Sequence, residues 1–158
     1  PFGSMITPLT GNEMDFYDLL LPKDPGTVVM NGKEYAWNTW GEILNSPADA
    51  QIWATYKNEF YEGSPAVTFR KLGKGTITYV GVDSHNGALE KDILKKLYAQ
   101  LNIPVMDLPY GVTMEYRNGL GIVLNYSDQP YAFNLPKGAK ALIGTTNIPT
   151  AGVLVFSM

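Results

Sequence analysis

Residues 70–92, RKLGKGTITYVGVDSHNGALEKD, contain a change of hydrophobic period that decides the fold class. Apolar residues first form strand-like stretches, and after Asn86 they recur at three- and four-residue spacings, as in a helix. The run Gly73-Lys74-Gly75 separates two of the strand-like stretches. A phosphate-binding loop needs G-x-x-x-x-G-K-[ST] followed by a helix, whereas a strand follows this run. We therefore interpret it as a hairpin turn.

The triplet Asp83-Ser84-His85 contains the residue types of a hydrolytic triad. Neighbours on one turn seldom orient a base toward the nucleophile and an acid toward the base. The sequence also lacks a G-x-S-x-G nucleophile elbow. We interpret the triplet as a strand-to-helix turn with capping side chains, in which His85 is a partly exposed loop residue.

The helical pattern that follows is the strongest in the chain. Asn86 is placed to cap its first turn, Glu90 lies early and Lys95 and Lys96 lie late, which suits the helix dipole. The apolar positions at helical spacing are Leu89, Ile93, Leu94, Leu97 and Leu101. The stretch NIPVMDLPYG, at 102–111, ends the pattern and predicts a linker.

Upstream of the opening stretch, the sequence predicts strands. Val28 to Met30 and Glu34 to Trp37 flank Asn31-Gly32, the strongest short-range signal for a hairpin. GEILN, at 41–45, and AQIWATY, at 50–56, predict two further strands. AVTFRKL and TITYVGV form the hairpin around Gly73 to Gly75, and the residues up to Leu21 predict irregular structure with one short strand.

Downstream of the linker, every pattern is that of a strand. Five short apolar stretches are separated by turn residues such as Arg117-Asn118-Gly119 and Lys137-Gly138, which is typical of a small antiparallel sandwich or barrel. The stretches are VTMEY, LGIVLNY, YAFNLP, KALIG and GVLVFSM. The change of texture places a domain boundary near 107–111.

The composition argues against several classes of partner. The 158 residues carry a net charge of -3, without long runs of one sign, which gives no basis for binding nucleic acid or an anionic membrane. The sequence has no Cys and only one His, so thiolate chemistry is excluded and the usual zinc ligands are lacking. We expect no metal and no cofactor.

The start of the sequence gives little information about location. It begins at Pro1 rather than Met, and Gly3-Ser4-Met5 resembles a cloning scar. The opening lacks the basic start and apolar run of a signal peptide, but targeting signals can lie upstream of it. Cytoplasmic and periplasmic locations are both compatible with the sequence.

Acidic residues are scattered along the chain, and their spacing identifies no catalytic pair. Glycoside hydrolysis needs two carboxyl groups about 5 to 10 Å apart. Asn12-Glu13 and Asn58-Glu59 are dipeptides of the kind that end barrel strands in many glycosidases, but a two-residue match is expected by chance. We assign no catalytic residue.

Aromatic side chains are abundant, with 10 Tyr and 3 Trp. Trp37 and Trp40, with Tyr35 nearby, are candidates for a sugar-stacking platform, because a flat ring complements the C-H face of a pyranose. The alternative is that the three rings belong to a core or to a subunit interface, where aromatic residues are equally common.

Three stretches carry a longer pattern in a fixed order. They are GNEMDFYDLLLP at 11–22, WGEILNSPADAQIWATYKNEFYEGSPAVTFRKLGKGTITYVGVD at 40–83, and LPYGVTMEYRNGLGIVLNYSDQPYAFNLP at 108–136 with a final GV-x-V strand. In the second stretch the matching residues are Trp40, Glu42, Tyr56, Phe60, Tyr61, Gly63, Pro65 to Thr68, Gly73 to Gly75, Tyr79 and Gly81. In the third they are Gly111, Val112, Arg117, Asn125 to Asp128, Pro130, Gly152, Val153 and Val155.

This succession resembles the C-terminal end of family 42 β-galactosidases. In that family a catalytic TIM barrel precedes a flavodoxin-like trimerisation domain and a small β domain. The resemblance implies a partial, flavodoxin-like α/β domain at 1–106, a linker at 107–110 and an antiparallel β-sandwich domain at 111–158. The barrel and its two catalytic glutamates are not in this sequence.

The resemblance therefore implies a non-catalytic assembly and support region of an enzyme that hydrolyses terminal β-galactosides. Its expected partners are further copies of itself, as a dimer or trimer, and the TIM barrel of the parent chain. A free-standing carbohydrate-binding module that uses exposed Trp and Tyr is the alternative. A small amidotransferase-like enzyme is a third hypothesis, and the lack of Cys argues against it because that chemistry needs a Cys nucleophile.

Overall fold

The computed structural model describes residues 6–158 and divides the chain into two compact units, Pro1–Pro104 and Val105–Met158. The Gly3-Ser4-Met5 stretch lies outside the described residues. We call the two units unit 1 and unit 2 and describe each by itself.

Unit 1 consists mostly of antiparallel strands with one long helix. In chain order its elements are α1 (Thr7–Thr10), β1 (Glu13–Asp18), β2 (Gly26–Met30), β3 (Lys33–Asn45), β4 (Gln51–Lys57), β5 (Pro65–Leu72), β6 (Gly75–Val80), β7 (Val82–Ser84) and α2 (Ala88–Gln100). All of the strand pairings found among the described residues are antiparallel. The flavodoxin-like prediction is therefore not confirmed, since that fold is built on a parallel sheet.

Both predicted hairpins of unit 1 are present. Asn31 and Gly32 have φ angles of 52° and 79°, which is the left-handed backbone that a two-residue turn between β2 and β3 requires. β5 and β6 pair from Val67–Val80 to Leu72–Gly75, and the turn between them includes Gly73 at φ 58°. Gly73 thus serves the hairpin turn that the sequence predicted.

The predicted strand GEILN is not a separate element. It is the second half of β3, which runs without a break from Lys33 to Asn45. The first half of β3 pairs with β2 and the second half with β1, so one strand serves two neighbours in succession. Between these halves, at Trp37 to Gly41, the pairing of β3 with β7 shifts register, and Thr39 within this segment has a φ of 73°.

The pairings of unit 1 run in a closed circuit. β3 pairs with β2, β2 with β4, β4 with β5 and β5 with β6, and β7 then pairs back with β3. Gly81 joins β6 to β7: its N–H donates to Ala66 O, and its carbonyl accepts from the N–H of Glu42. Among the strands that the structure describes in unit 1, β1 alone lies outside this circuit, at one end of the sheet order.

The core of unit 1 is centred on Trp37, which is fully buried. Its indole lies over two glycines, Gly26 on the neighbouring strand β2 and Gly41 further along β3 itself. A Cβ at Gly26 would be 2.5 Å from the Trp37 ring, and one at Gly41 would be 2.7 Å from it. The same cluster includes Leu89 and Ile93 of α2. The lack of a side chain at these two glycines therefore makes room for the largest residue of the core.

The predicted N-cap of α2 is wrong. Asn86 has a left-handed backbone at φ 57°, inside the single 3-10 turn of His85–Gly87 that precedes α2. Ser84 takes the capping role instead, because its Oγ accepts from the Leu89 N–H at 2.9 Å. Glu90 accepts from the N–H and the hydroxyl of Ser84, which resembles a capping box with wider spacing.

Unit 2 contains only strands and turns. Its strands are β8 (Val112–Arg117), β9 (Leu120–Asn125), β10 (Tyr131–Ala132), β11 (Lys140–Ile143), β12 (Asn147–Ile148) and β13 (Gly152–Ser157). A four-stranded antiparallel sheet has the order β11-β13-β9-β8, and β10 pairs with β12. Both sheets contribute to one apolar cluster, as Phe156 does from the first and Ile148 from the second.

Candidate functional site

The two acidic dipeptides lie in different local settings. Asn12 is buried and donates to Thr68 Oγ1 at 2.8 Å, while Glu13 lies exposed at the start of β1. Glu59 lies in the 58–64 turn, half-buried. Within residues 6–158 there is no group of three or more His, Asp or Glu side chains that could hold a metal ion.

The Asp83-Ser84-His85 triplet is a strand-to-helix turn, and its interpretation as a capping turn is confirmed by the bond from Leu89 to Ser84. The Ser84 hydroxyl donates to a Glu90 carboxylate oxygen. His85 is exposed. The serine is therefore engaged with the helix that it caps.

The three aromatic residues singled out in the sequence lie in two different environments. Tyr35 and Trp37 are buried in the core of unit 1, with exposed fractions of 4% and 0%. The Tyr35 hydroxyl donates to Asp92 Oδ2 at 2.8 Å, which ties β3 to α2. Neither ring offers a face to a sugar, and Trp40 is the member of the set with a ring at the surface.

Trp40 belongs to a cluster formed by β1, β3 and β6. Its indole stacks on Tyr17 with the ring centroids 4.6 Å apart, and its Nε1 donates to Glu42 Oε1 at 3.1 Å. The second oxygen of that carboxylate accepts from the Tyr79 hydroxyl. Burial and this hydrogen bond raise the pKa of Tyr79 well above its ordinary value, so the hydroxyl stays a donor.

A second cluster lies around the 58–64 turn. Phe60 is 86% exposed and stacks on Phe16 of β1, with the centroids 5.6 Å apart. Tyr61 packs edge-on against both rings, and its hydroxyl donates to Asp18 Oδ2 at 2.7 Å. Burial and the Asp18 carboxylate raise the pKa of Tyr61. The exposed ring of Phe60 thus packs against Tyr61, whose position is fixed by its hydrogen bond to Asp18.

Both clusters include a residue of β1, and we call the exposed apolar residues on and beside this strand the β1-edge surface. Its exposed apolar members are Tyr17, Leu19, Leu21, Trp40 and Phe60. Among the described residues β1 pairs with β3 alone, so its other edge presents backbone groups outward. An edge strand beside exposed aromatic rings is a surface suited to contact with another protein chain.

Sequence reasoning identified Trp40 in this surface and missed Tyr17 and Phe60. Tyr17 comes close to Trp40 through the pairing of β1 with β3, in which Tyr17 lies opposite Glu42. Phe60 comes close to Phe16 of β1 through the 58–64 turn. The spacing of residues within one segment of the sequence cannot predict either contact. The usable signal was composition, because five of the six residues of 16–21 are large apolar or aromatic side chains, and those at 17, 19 and 21 are exposed.

The sequence matches two domain families. Residues 1–109 match the family described as "Beta-galactosidase trimerisation domain", and residues 111–158 match the "Beta-galactosidase C-terminal domain", both of glycoside hydrolase family 42. No helix within residues 6–158 has the length and apolar character needed to cross a membrane.

Curated relatives are β-galactosidases of much greater length. The chain is 41% identical to β-galactosidase LacA of Lactobacillus acidophilus over 73 residues, which is 46% of this chain and 11% of that protein. It is 30% identical to β-galactosidase BgaB of Geobacillus sp. over 115 residues, which is 70% of this chain and 17% of the relative. The chain thus spans less than a quarter of the length of these relatives.

Solved structures share the fold. The β-galactosidase of the psychrophilic Marinomonas ef1 superimposes with a TM-score of 0.80 at 21% identity, over 99% of this chain and 22% of that one. The β-galactosidase of the haloarchaeon Halorubrum lacusprofundi gives a TM-score of 0.80 at 24% identity, over 97% and 23%. Taken with the two domain matches, these likenesses identify the chain as a member of the glycoside hydrolase family 42 β-galactosidases, made of their trimerisation and C-terminal domain types.

Proposed function

We propose that this chain is an assembly and support region of a β-galactosidase-type glycoside hydrolase and carries no active site of its own. The observation that supports it is the β1-edge surface of unit 1, in a segment that matches a trimerisation domain. The parent enzyme would hydrolyse terminal β-galactosides through a catalytic TIM barrel, in keeping with the names of the relatives.

The proposed partner of the β1-edge surface is a second copy of the chain, in a dimer or trimer. Phe60 at 86% and Leu21 at 61% exposure leave apolar surface in water that association would bury, at roughly 25 cal/mol per Å². The outer edge of β1 would add backbone hydrogen bonds across the contact. Trp40 acts here as an interface residue, held in place by Tyr17 and Glu42.

The proposed division of labour follows the domain boundaries. Residues 1–106 would supply the contacts between copies, 107–110 would act as the linker, and the β domain at 111–158 would lie largely outside those contacts. Unit 2 does expose Leu142 at 57% and Ile143 at 59%, on strand β11 at the end of its sheet. These side chains offer a matched comparison for the test below.

A second apolar face supports the proposed role toward the rest of the parent enzyme. On α2, Leu94 and Tyr98 are 53% and 42% exposed, and Leu101 just beyond its end is 67% exposed. These positions fall at i, i+4 and i+7, so they line one face of α2. We propose that the TIM barrel of the parent chain covers this face.

The proposal is tested by measuring the mass of the chain in solution by light scattering and sedimentation. We expect the 158-residue chain to self-associate, and Phe60→Asp to weaken that association by at least about tenfold, because a charge replaces an aromatic anchor at the interface. Leu142→Asp is the control: it places the same charge on a similarly apolar, exposed position of unit 2 and should leave the mass unchanged.

A strictly monomeric state of the unsubstituted 158-residue chain would contradict the proposal. Association that survives Phe60→Asp but is lost in Leu142→Asp would transfer the assembly role to unit 2. Circular dichroism of both variants separates loss of association from loss of folding, since Phe60 and Leu142 are largely outside their cores.

A further inference from the structure

Unit 2 carries a groove that the proposed assembly role does not use. It has a volume of about 840 Å³, near the upper end of the roughly 300–1,000 Å³ found for small-molecule sites. Its lining consists of the 109–110 and 126–131 segments, and it contains the side chains of Tyr110, Tyr126 and Tyr131. All of these residues belong to unit 2, so the groove is formed within one compact body.

One buried side chain holds the walls of the groove in place. Asn125 is 1% exposed, and its Nδ2 donates to the carbonyls of Gln129, Ile148 and Pro149 at 2.8, 3.1 and 3.2 Å. Its Oδ1 accepts from the N–H of Ser127 at 3.0 Å and from the Ser127 hydroxyl at 2.6 Å. The 125–131 loop is therefore fixed before any ligand arrives, which lowers the entropy cost of binding.

The second wall is anchored to the first. The N–H of Tyr126 donates to Gly111 O at 2.7 Å, and Gly111 has a φ of 81°. A Cβ at Gly111 would lie 2.9 Å from the Ser127 backbone nitrogen, so glycine is needed for the two segments to approach this closely. The spacing between Tyr110 and Tyr126 is thus set by backbone contacts.

The chemistry of the lining points to a neutral, hydroxyl-rich ligand. The eight lining residues are three Tyr, two Pro, Ser127, Asp128 and Gln129, and none of them carries a positive charge. An anionic ligand such as a nucleotide or a sugar phosphate would lack a cationic partner and would face Asp128. Aromatic rings beside carboxylate, amide and hydroxyl groups match a molecule with an apolar C-H face and a rim of hydroxyls.

We propose that this groove binds an uncharged oligosaccharide. Tyr110 and Tyr126, 101% and 69% exposed, would stack on the C-H faces of pyranose rings, and Asp128 and Gln129 would accept and donate hydrogen bonds at the ring hydroxyls. Proline-rich peptides also use aromatic grooves, but polar groups at the rim favour a sugar. This proposal does not depend on the assembly role, since it concerns unit 2 and not the β1-edge surface.

The test is a titration of the full chain with a β-linked galactotetraose, and with cellotetraose and a proline-rich peptide in parallel, followed by amide chemical shifts. We expect saturable shifts for the tetrasaccharide at 109–110 and 126–131. Tyr126→Ala should weaken this binding about tenfold, and Tyr110→Ala should do the same without affecting packing, because that side chain is fully exposed. Tyr116→Ala is the control, a 55% exposed tyrosine of the same unit outside the groove.

Three results would overturn the proposal. One is the lack of saturable shifts with either tetrasaccharide at millimolar concentrations. Another is sugar binding that neither Tyr110→Ala nor Tyr126→Ala weakens relative to Tyr116→Ala. The third is saturation of the groove by the proline-rich peptide while both sugars fail to bind. Binding of cellotetraose alone would keep the site and change the preferred sugar.

Discussion

Thr39 of unit 1 has an unfavourable backbone conformation for its residue type. Its φ of 73° lies in the left-handed region, where a β-branched side chain is unfavourable, and it sits between buried Trp37 and exposed Trp40. The Thr39 N–H donates to Leu20 O at 3.3 Å, which ties this irregular segment to the chain just after β1. The strain is located where β3 turns its aromatic residues from the core to the surface.

We predict that Thr39→Gly stabilises the chain by about 0.5–1 kcal/mol. Glycine removes a left-handed penalty of about 1–2 kcal/mol and adds back part of it as unfolded-state entropy. Thr76→Gly, at an exposed position of β6 without a positive φ, should instead destabilise by about 0.5–1 kcal/mol. Urea unfolding of both variants measures the difference. Equal losses of stability would show that Thr39 carries no strain.

At the level of single residues, the sequence predicted turn positions better than side-chain partners. Asn31-Gly32 was identified correctly because left-handed φ angles strongly favour these residue types. Asn86 was misassigned for the same reason: it takes a left-handed backbone, which a cap does not have, and the cap passed to Ser84. Spacing alone does not distinguish a capping Asn from a left-handed one.

At the level of elements, the packing of Trp37 over Gly26 and Gly41 gives a direct test. Gly41→Ala places a Cβ 2.7 Å from the Trp37 ring, so the indole must move within a packed core. We predict a loss of about 1–3 kcal/mol in unfolding free energy. Gly75→Ala is the matched control in the same sheet, because its Cβ would lie 3.7 Å from Leu72 O, at an ordinary van der Waals distance.

Denaturant unfolding followed by tryptophan fluorescence measures both variants. The unfolding free energy of the control should stay within about 0.5 kcal/mol of that of the unsubstituted chain. A Gly41→Ala variant as stable as the control would mean that the Trp37 ring shifts at no cost, and that the two glycines are not required for the core.

The elements themselves were largely predictable where their signals were local. The hairpins around Asn31-Gly32 and Gly73 and strands β8, β9, β11 and β13 of unit 2 followed from turn residues and alternation. The predicted strand YAFNLP is shorter than expected, at Tyr131–Ala132, and its partner β12 was missed. The continuity of β3 was missed because a register shift at Trp37–Gly41 interrupts its alternation. Closure of β7 onto β3 joins residues far apart in sequence, and periodicity carries no information on such pairings.

At the scale of the whole molecule, the family followed from the resemblance and the matches bear it out. The β1-edge surface was predictable only as one tryptophan, Trp40, since its other rings are assembled by pairing and by the 58–64 turn. The groove of unit 2 could not be predicted at all. It depends on Asn125 binding carbonyls of two separate loops, a contact that leaves no trace in spacing.

We predict that the chain does not hydrolyse a nitrophenyl β-galactoside. The reaction needs two carboxyl groups on either side of one glycosidic bond, whereas Asp18 and Glu42, the carboxylates within the aromatic clusters, each accept a tyrosine hydroxyl. Release of nitrophenol by the purified chain measures this. Turnover that disappears in Glu13→Gln or Glu59→Gln would establish an active site within these residues.

Gly81 has a consequence for the order of folding. The β2–β3 hairpin joins neighbours in sequence and can form on the timescale of an isolated hairpin, about 1–10 μs. The circuit through Gly81 closes only when β7 reaches β3, which brings Ser84 beside Trp37 and must await most of the chain between them. The entropic cost of closing that long loop is therefore incurred in the last step of folding. Unit 1 is thus expected to fold slowly for its size, with the residues around Gly81 forming their native contacts after the transition state.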